Sequence, residues 1–205
     1  MADQNVPKVK AVILDVGNVL VFHDNELLYR RLGESAGFCA EAVARLVSAP
    51  HWESIHNGDW DAEEIRRQVC GALGVALDRE EFAEIWNSHF TANEDILPLV
   101  EGLIGRVKLV ALSNTNAIHA EYLLHRFPLL GKFDHLLFSH QLKRTKPDPE
   151  IYREALRRAG TVASETAFFD DLPEYVEAAR RLGLLAYVYR SADEFADQLA
   201  ALGLR

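Results

Sequence analysis

Short apolar runs alternate with amphipathic stretches through the second half of the chain. Beyond residue 98, apolar runs cover 107–112, 135–138, 166–169 and 185–189, and a helical pattern separates each from the next. An apolar run of about four to eight residues bounded by turn residues predicts a buried strand. Strands alternating with helices predict a doubly wound parallel sheet, that is, a Rossmann-like α/β core.

The first predicted strand, in the apolar run 9–16, is separated from this alternation by a long block with helical periodicity. We expect no strand in that block. The pattern therefore predicts a core formed by residues 8–22 and 97–205. An inserted α-helical cap domain is predicted at 23–96.

One acidic residue interrupts the first apolar run. Asp15 lies where the predicted strand ends, and Gly17 follows two residues later. A buried carboxylate needs a partner, because an unpaired charge is costly to remove from water. Glycine permits a sharp turn and a close approach to the backbone. We interpret a metal ion and a phosphate as the partners of Asp15.

Polar side chains also follow three later strands, and ligands of open parallel sheets bind beyond the carboxyl ends of the strands. These groups are the stretch 113–116, Lys146 with its neighbours, and the pair Asp170-Asp171. Adjacent carboxylates repel each other unless a cation neutralises them, and an all-oxygen ligand set suits Mg²⁺. The alternative is that Asp171 caps the following helix while Asp170 pairs with a lysine.

Composition narrows the class of protein. Nearly half of the 205 residues are hydrophobic, which is typical of a globular chain, and a net charge of -9 argues against nucleic-acid binding. Cys39 and Cys70 have no CxxC spacing, so we expect two buried thiols in a reducing cytosol. No signal peptide or membrane-spanning run is present in the sequence, and we expect a cytoplasmic protein without a membrane partner.

Four motifs in order make the chain resemble the haloacid dehalogenase-like hydrolase superfamily, in its phosphatase branch with a helical cap inserted after the first strand. Each motif is weak alone, but together they are specific and extend over nearly the whole chain. Small sugar-phosphate phosphatases are the most similar members. The motifs are Asp15-Val16-Gly17-Asn18-Val19-Leu20, Leu112-Ser113-Asn114-Thr115-Asn116, Lys146-Pro147-Asp148-Pro149-Glu150-Ile151-Tyr152 and Phe168-Phe169-Asp170-Asp171.

The resemblance implies a Mg²⁺-dependent phosphatase acting on a small phosphorylated metabolite. Asp15 would be the nucleophile, forming an aspartyl-phosphate that water then hydrolyses. Ser113 and the backbone N–H of Asn114 would hold the phosphoryl oxygens, and Lys146 would neutralise the nucleophile and the phosphate. The implied Mg²⁺ ligands are Asp15, the backbone carbonyl of Gly17, Asp170 and Asp171.

Gly17 departs from the family pattern. Phosphatases of the family usually carry there an Asp that protonates the leaving group and then activates water. Turnover could proceed differently in this branch, or the protein could be a weak catalyst that binds a phosphorylated ligand or a partner. A nearby residue could also substitute, and the candidates are His23, Asp24, His51 and His56. Metal-independent 2-haloacid dehalogenases share the fold and the nucleophile, but the acidic pair Asp170-Asp171 argues against that activity.

The predicted cap contains four large apolar residues, Trp52, Ile55, Trp60 and Trp86. We interpret them as the core of the cap itself. The alternative is that the turn between Trp52 and Trp60 faces the substrate. Closure of the cap would exclude water and select the leaving group.

Overall fold

A central sheet of parallel strands organises the protein, described by a computed structural model for residues 9–47 and 51–205. Residue 8, the predicted start of the core, lies outside this part. The sheet order is β5-β4-β1-β6-β7, and every neighbouring pair is parallel, which confirms the predicted α/β fold. The strands are β1 (Ala11–Leu14), β2 (Val21–His23), β3 (Phe90–Ala92), β4 (Lys108–Ser113), β5 (His135–Phe138), β6 (Thr166–Asp170) and β7 (Leu185–Val188).

Helices connect the strands, and several begin at a capping side chain. Asp24 accepts a hydrogen bond from the N–H of Leu27, and Asp148 accepts one from the N–H of Glu150. The α-helices are α1 (Asn25–Ala36), α2 (Ala40–Val47), α3 (Trp52–His56), α4 (Ala62–Leu73), α5 (Arg79–Asn87), α6 (Leu97–Glu101), α7 (Ala117–Arg126), α8 (Ser139–Leu142), α9 (Pro149–Ala159), α10 (Pro173–Arg181) and α11 (Ala192–Ala201).

Both faces of the sheet are buried. In β1, Val12 and Leu14 belong to one hydrophobic cluster, whereas Ala11 and Ile13 belong to the cluster on the other face. Helices cover both faces, which explains why the strands are continuous apolar runs without polar alternation. An acidic residue at the end of such a strand is therefore carried into a dry environment.

Helices α1, α2, α4 and α5 contribute to a third hydrophobic cluster, in which Ile55 and Trp86 are fully buried. Trp52 and Trp60 are only partly buried against it. A separate cluster supports the division into core and cap, although the boundaries at 22/23 and 96/97 stay predictions. The prediction of two buried thiols was wrong for Cys39, which is exposed just before α2, and Cys70 is buried as expected.

The expectation of no strand in the block 23–96 was wrong. Strands β2 and β3 pair in antiparallel fashion, with Val21 opposite Ala92, where the chain leaves and re-enters the core. Each strand has only three residues, which is too short to leave a periodic pattern. Asn93 fixes this junction, because its side chain donates to the carbonyl of Val19 at 2.7 Å. Within the described part of the chain, no helix is both long and apolar enough to cross a bilayer.

The turn after α3 is held against α8 of the core. The hydroxyl of Ser139 donates to the carbonyl of His56 at 2.6 Å, and the ammonium of Lys143 donates to the carbonyl of Gly58. Gly58 has φ +70°, and a Cβ added there would lie 2.2 Å from the carbonyl oxygen of His140. Only glycine fits this contact between the predicted cap and the core.

We predict that Gly58→Ala destabilises the protein more than Gly74→Ala. Both glycines have positive φ, which costs about 1–2 kcal/mol for other residues, but an added Cβ at Gly74 meets no atom within 4 Å. Urea denaturation of the two variants measures the difference in unfolding free energy. Equal losses would show that the turn at Gly58 moves away from α8 without penalty.

Candidate active site

Asp15 lies directly after β1, and its backbone N–H donates to the carbonyl of Phe169 at 2.9 Å. Its carboxylate is almost entirely buried. The ammonium of Lys146 lies 2.9 Å from Asp15 Oδ1 and 2.6 Å from Asp170 Oδ2. Three segments far apart in the sequence thus bring two carboxylates and one ammonium group together in a dry place.

Burial and neighbouring charges set the ionisation of this group. Burial raises the pKa of Asp15, and the negative charge of Asp170 adds to that effect, whereas Lys146 opposes it. Burial alone would lower the pKa of Lys146, but the two carboxylates outweigh it and raise that pKa above its usual value. Lys146 is therefore a permanent positive charge in the site.

The side chain of Asn114 positions the lysine. Its Oδ1 accepts from the N–H of Lys146 at 2.8 Å, and its Nδ2 donates to the carbonyl of Lys146 at 3.0 Å. The ring of Tyr175 lies 5.1 Å from the Lys146 ammonium, within cation–π range. This use of the Asn114 side chain was missed by sequence reasoning, which assigned only its backbone N–H to the phosphate.

The two acids after β6 have different partners. Asp170 is fully buried, and its Oδ1 accepts from the N–H of Leu172. Asp171 Oδ2 accepts from the side chain of Asn18 at 3.0 Å, and Asn18 has φ 52° in the turn after β1. Helix α10 has no side-chain cap, so the alternative role of Asp171 as its cap was wrong. The alternative pairing of Asp170 with a lysine is present.

A metal ion fits the acidic cluster. One carboxylate oxygen from each of Asp15, Asp170 and Asp171 lies within 4.8 Å of the other two. Three carboxylates face a single ammonium group, which leaves an excess of negative charge in a mostly buried place. Hard oxygen ligands of this kind suit Mg²⁺.

A cleft of about 370 Å³ opens over this cluster. Ser113, at the end of β4, lines it and is itself buried. Asp170 is absent from the lining, but one of its carboxylate oxygens lies within 4.8 Å of oxygens of Asp15 and Asp171, which line the cleft. The predicted site residues that line it are Asp15, Gly17, Ser113, Asn114, Lys146 and Asp171.

Among the candidates to replace an acid at position 17, His23 lies nearest. A Cβ added at Gly17 would be 3.6 Å from both Cδ2 and Nε2 of the His23 ring. Asp24 instead caps α1. The ring of His51 lies 5.0 Å from that of Trp60, tilted by 43°, and does not line the cleft. The fourth candidate, His56, lines the cleft.

Sequence reasoning missed much of the remaining lining. His89 and Phe90 line the cleft from the predicted cap, and His119 lines it from α7 of the core. Tyr175 lines it near Lys146. His89 follows Phe82 and Trp86 on one helical face of the sequence, which indicated only a packing role. Trp52 lines the cleft as well, whereas Gly58, in the turn between Trp52 and Trp60, packs against the backbone of His140.

Comparison with known proteins identifies a hydrolase family and relatives that are phosphatases. A model of the haloacid dehalogenase-like hydrolases matches residues 9–183. The chain is 27% identical over 209 residues to a D-ribitol-5-phosphate phosphatase of Bacteroides thetaiotaomicron, covering 95% of this chain and 98% of that protein. It is 30% identical over 183 residues to a phosphorylated carbohydrates phosphatase of Thermotoga maritima, covering 86% and 82%.

Among solved structures, the fold is similar to a HAD family enzyme from Bacteroides thetaiotaomicron in complex with magnesium and inorganic phosphate. The TM-score is 0.81 at 24% identity, and the match covers 89% of this chain and 95% of that one. At this identity, the likeness shows a shared fold.

We predict that Mg²⁺ raises the melting temperature of the protein and that Asp171→Asn reduces the rise. A ligand at 100 times its dissociation constant stabilises the folded state by about 2.7 kcal/mol. Asp197→Asn, at an exposed position of α11, is the matched control and should keep the full rise. Differential scanning calorimetry with and without Mg²⁺ makes the comparison. An equal rise in all three proteins would place the ion elsewhere.

Proposed function

The chain belongs to the haloacid dehalogenase-like hydrolase family, and we propose that it is a Mg²⁺-dependent phosphatase of small phosphate monoesters. The observation that carries the proposal is the cluster of Asp15, Lys146, Asp170 and Asp171 at the base of an open cleft. A carboxylate attacks an anionic phosphate only where cations offset the repulsion between them. This cluster combines a carboxylate facing the cleft, a fixed ammonium group and a set of metal ligands.

In the proposed reaction, a carboxylate oxygen of Asp15 attacks phosphorus, and the bond from phosphorus to the leaving oxygen breaks. Water then attacks the phosphorus of the aspartyl-phosphate, which releases inorganic phosphate and the Asp15 carboxylate. Ser113 and the backbone N–H of Asn114 hold the phosphoryl oxygens, and Lys146 offsets their charge.

Mg²⁺ would be held by Asp15, Asp170, Asp171 and the backbone carbonyl of Gly17. Its chemistry there is to neutralise charge on the phosphoryl group and to orient it. The ammonium group of Lys146 contacts the carboxylates of Asp15 and Asp170, but one positive charge cannot balance three acids. This excess of negative charge supports a second cation in the site.

We propose that His23 transfers the protons that Gly17 cannot. Its Nε2 lies 3.6 Å from where a side chain at position 17 would begin, which is within the reach of a carboxylate at that position. Burial lowers the pKa of the His23 ring, and the negative charges of Asp171 and Asp24 oppose that effect. In its protonated form, the imidazole would give its proton to the leaving oxygen. The neutral ring would then take a proton from the attacking water, which restores the starting state.

The relatives support a substrate of the sugar-phosphate or polyol-phosphate class. The Bacteroides relative is described as a phosphatase of D-ribitol 5-phosphate, and the Thermotoga relative as one of phosphorylated carbohydrates. The second candidate function is a weak catalyst that binds a phosphorylated ligand or a protein partner. The absence of an acidic side chain at Gly17 is the observation that favours it.

We predict that hydrolysis of 4-nitrophenyl phosphate requires Mg²⁺ and is lost in Asp15→Asn, because the amide is not a nucleophile. A panel of phosphate esters, assayed with Mg²⁺ or with a chelator, measures this. Full activity in Asp15→Asn would contradict the proposal. Tight binding of esters without turnover of any would favour the second candidate, and halide release from 2-haloacids with chelator present would indicate a dehalogenase.

We predict that His23→Asn affects esters according to their leaving group. Loss of an acid–base catalyst costs about 10²–10⁴ in rate, but 4-nitrophenolate leaves without a proton. The kcat/KM for an alkyl phosphate should therefore fall far more than that for 4-nitrophenyl phosphate. The double variant Gly17→Asp/His23→Ala should regain alkyl phosphatase activity. His51→Asn is the control. Equal losses on both esters would assign His23 a structural role.

A further inference from the structure

Four histidines, His23, His56, His89 and His119, line one part of the cleft, and we call this part the histidine wall. Their rings are close to one another or to aromatic neighbours. The ring centroids of His89 and His119 are 5.4 Å apart, and those of His23 and His89 are 6.1 Å apart. The ring of His56 stacks on Trp52 at 5.1 Å.

The rings differ in whether they have hydrogen-bond partners. His119 is fixed, because its Nδ1 pairs with the side chain of Asn116 at 3.0 Å and its Nε2 with the carbonyl of Trp86 at 3.2 Å. His89 is just as deeply placed, with 4% of its surface exposed, yet neither of its ring nitrogens makes a hydrogen bond of ordinary length and angle to the described residues. The backbone of Asp24 lies close enough to raise its pKa slightly against the effect of burial.

His89 is unusual among the buried polar side chains. Five residues in the described chain have buried polar side-chain atoms without a partner, and of these only His89 lines the cleft; the five are Trp86, Asn87, His89, His140 and Gln198. A buried polar group without a hydrogen bond costs about 1–3 kcal/mol. Phenylalanine would fill the same space without that cost. The ring nitrogens have almost no accessible surface, so a partner in the cleft would reach them through a turn of the ring.

The charge of the histidine wall limits what that partner can be. Burial lowers the pKa of both His56 and His89 to about 4, so both rings are neutral at pH 7. A neutral imidazole presents one N–H donor and one acceptor nitrogen. An alcohol hydroxyl, which both donates and accepts, matches this donor and acceptor. A second phosphate or a carboxylate on the ligand would need a cation instead. An isoprenoid chain would need an apolar wall.

We propose that His89 determines specificity by hydrogen-bonding a hydroxyl group of the leaving alcohol, so that the cleft selects polyhydroxylated phosphate esters. This inference rests on the proposed function for the position of the phosphate, which Lys146 and Ser113 would hold. A volume of about 370 Å³ is near the lower end of the ~300–1,000 Å³ typical of ligand pockets and suits a small ester. The aromatic face of Trp52 lies beside the same wall.

Binding to an inactive background separates this inference from the catalytic proposal. In Asp15→Asn, calorimetric titration with a pentitol 5-phosphate and with inorganic phosphate measures recognition without turnover. Adding His89→Phe should weaken binding of the pentitol phosphate by about tenfold or more, as expected for the loss of one good hydrogen bond. Binding of inorganic phosphate should change less than about twofold, a difference too small for one hydrogen bond.

Two further variants guard against a folding artefact. His89→Gln keeps a donor and an acceptor and should retain more affinity for the pentitol phosphate than His89→Phe. His51→Phe makes the same ring exchange at a residue that does not line the cleft, and it should leave both ligands unaffected.

A deoxy series identifies the hydroxyl itself. Removal of the hydroxyl that His89 contacts should weaken binding to the His89 protein but not to His89→Phe. The inference is overturned if His89→Phe weakens both ligands equally, which indicates a structural role, or if it weakens neither, which indicates that water alone serves the ring nitrogens. Loss of turnover in the catalytic assays with this selectivity intact would overturn the proposed function alone.

Discussion

The buried ammonium group of Lys146 between Asp15 and Asp170 is the interaction on which the site depends. Removing one partner of a buried ion pair costs about 3–5 kcal/mol, because the other charge is left without compensation. Here one ammonium group does not balance the negative charge, because Asp171 adds a third carboxylate beside those of Asp15 and Asp170. The remaining negative charge favours a further cation, and under the proposed function this cation and Lys146 would together offset the charge of a phosphate.

The fold serves this cluster by bringing strand ends together. Strands β4, β1 and β6 are adjacent and parallel, so Ser113, Asp15 and Asp170 emerge at one edge of the sheet. Lys146 comes from the chain between α8 and α9 and needs the two hydrogen bonds of Asn114 to hold it there. The predicted cap adds the other side of the cleft, with its own buried cluster and a glycine turn docked on α8. In the proposed reaction, the charged groups at the base of the cleft bind the phosphate, and the rings of His56 and His89, neutral at pH 7, lie on the cap side, where the leaving group would lie.

The sequence predicts the sheet and the strand-end residues of the site, because buried parallel strands are apolar runs and a polar residue that ends such a run is easily identified. The positions of Asp15, Ser113 and Asp170 at strand ends followed from that pattern alone. The β2–β3 pair was missed because three residues make no period. The histidine wall was missed because its members come from β2, α3, α7 and the turn between α5 and β3, and only the folded chain brings them together. For the same reason the sequence could name His23 as one of several candidates, but only geometry relates its ring to Gly17.

The proposed reaction requires that Asp15 becomes phosphorylated, and a trapping experiment detects this species. The protein is quenched in acid during turnover of a phosphate ester, reduced with borohydride and digested, and its peptides are analysed by mass spectrometry. Borohydride converts an aspartyl-phosphate to homoserine, so we expect homoserine at position 15 and unmodified acids at positions 170 and 171. Turnover without modification at position 15, or phosphate recovered on Ser113 or His23, would contradict it.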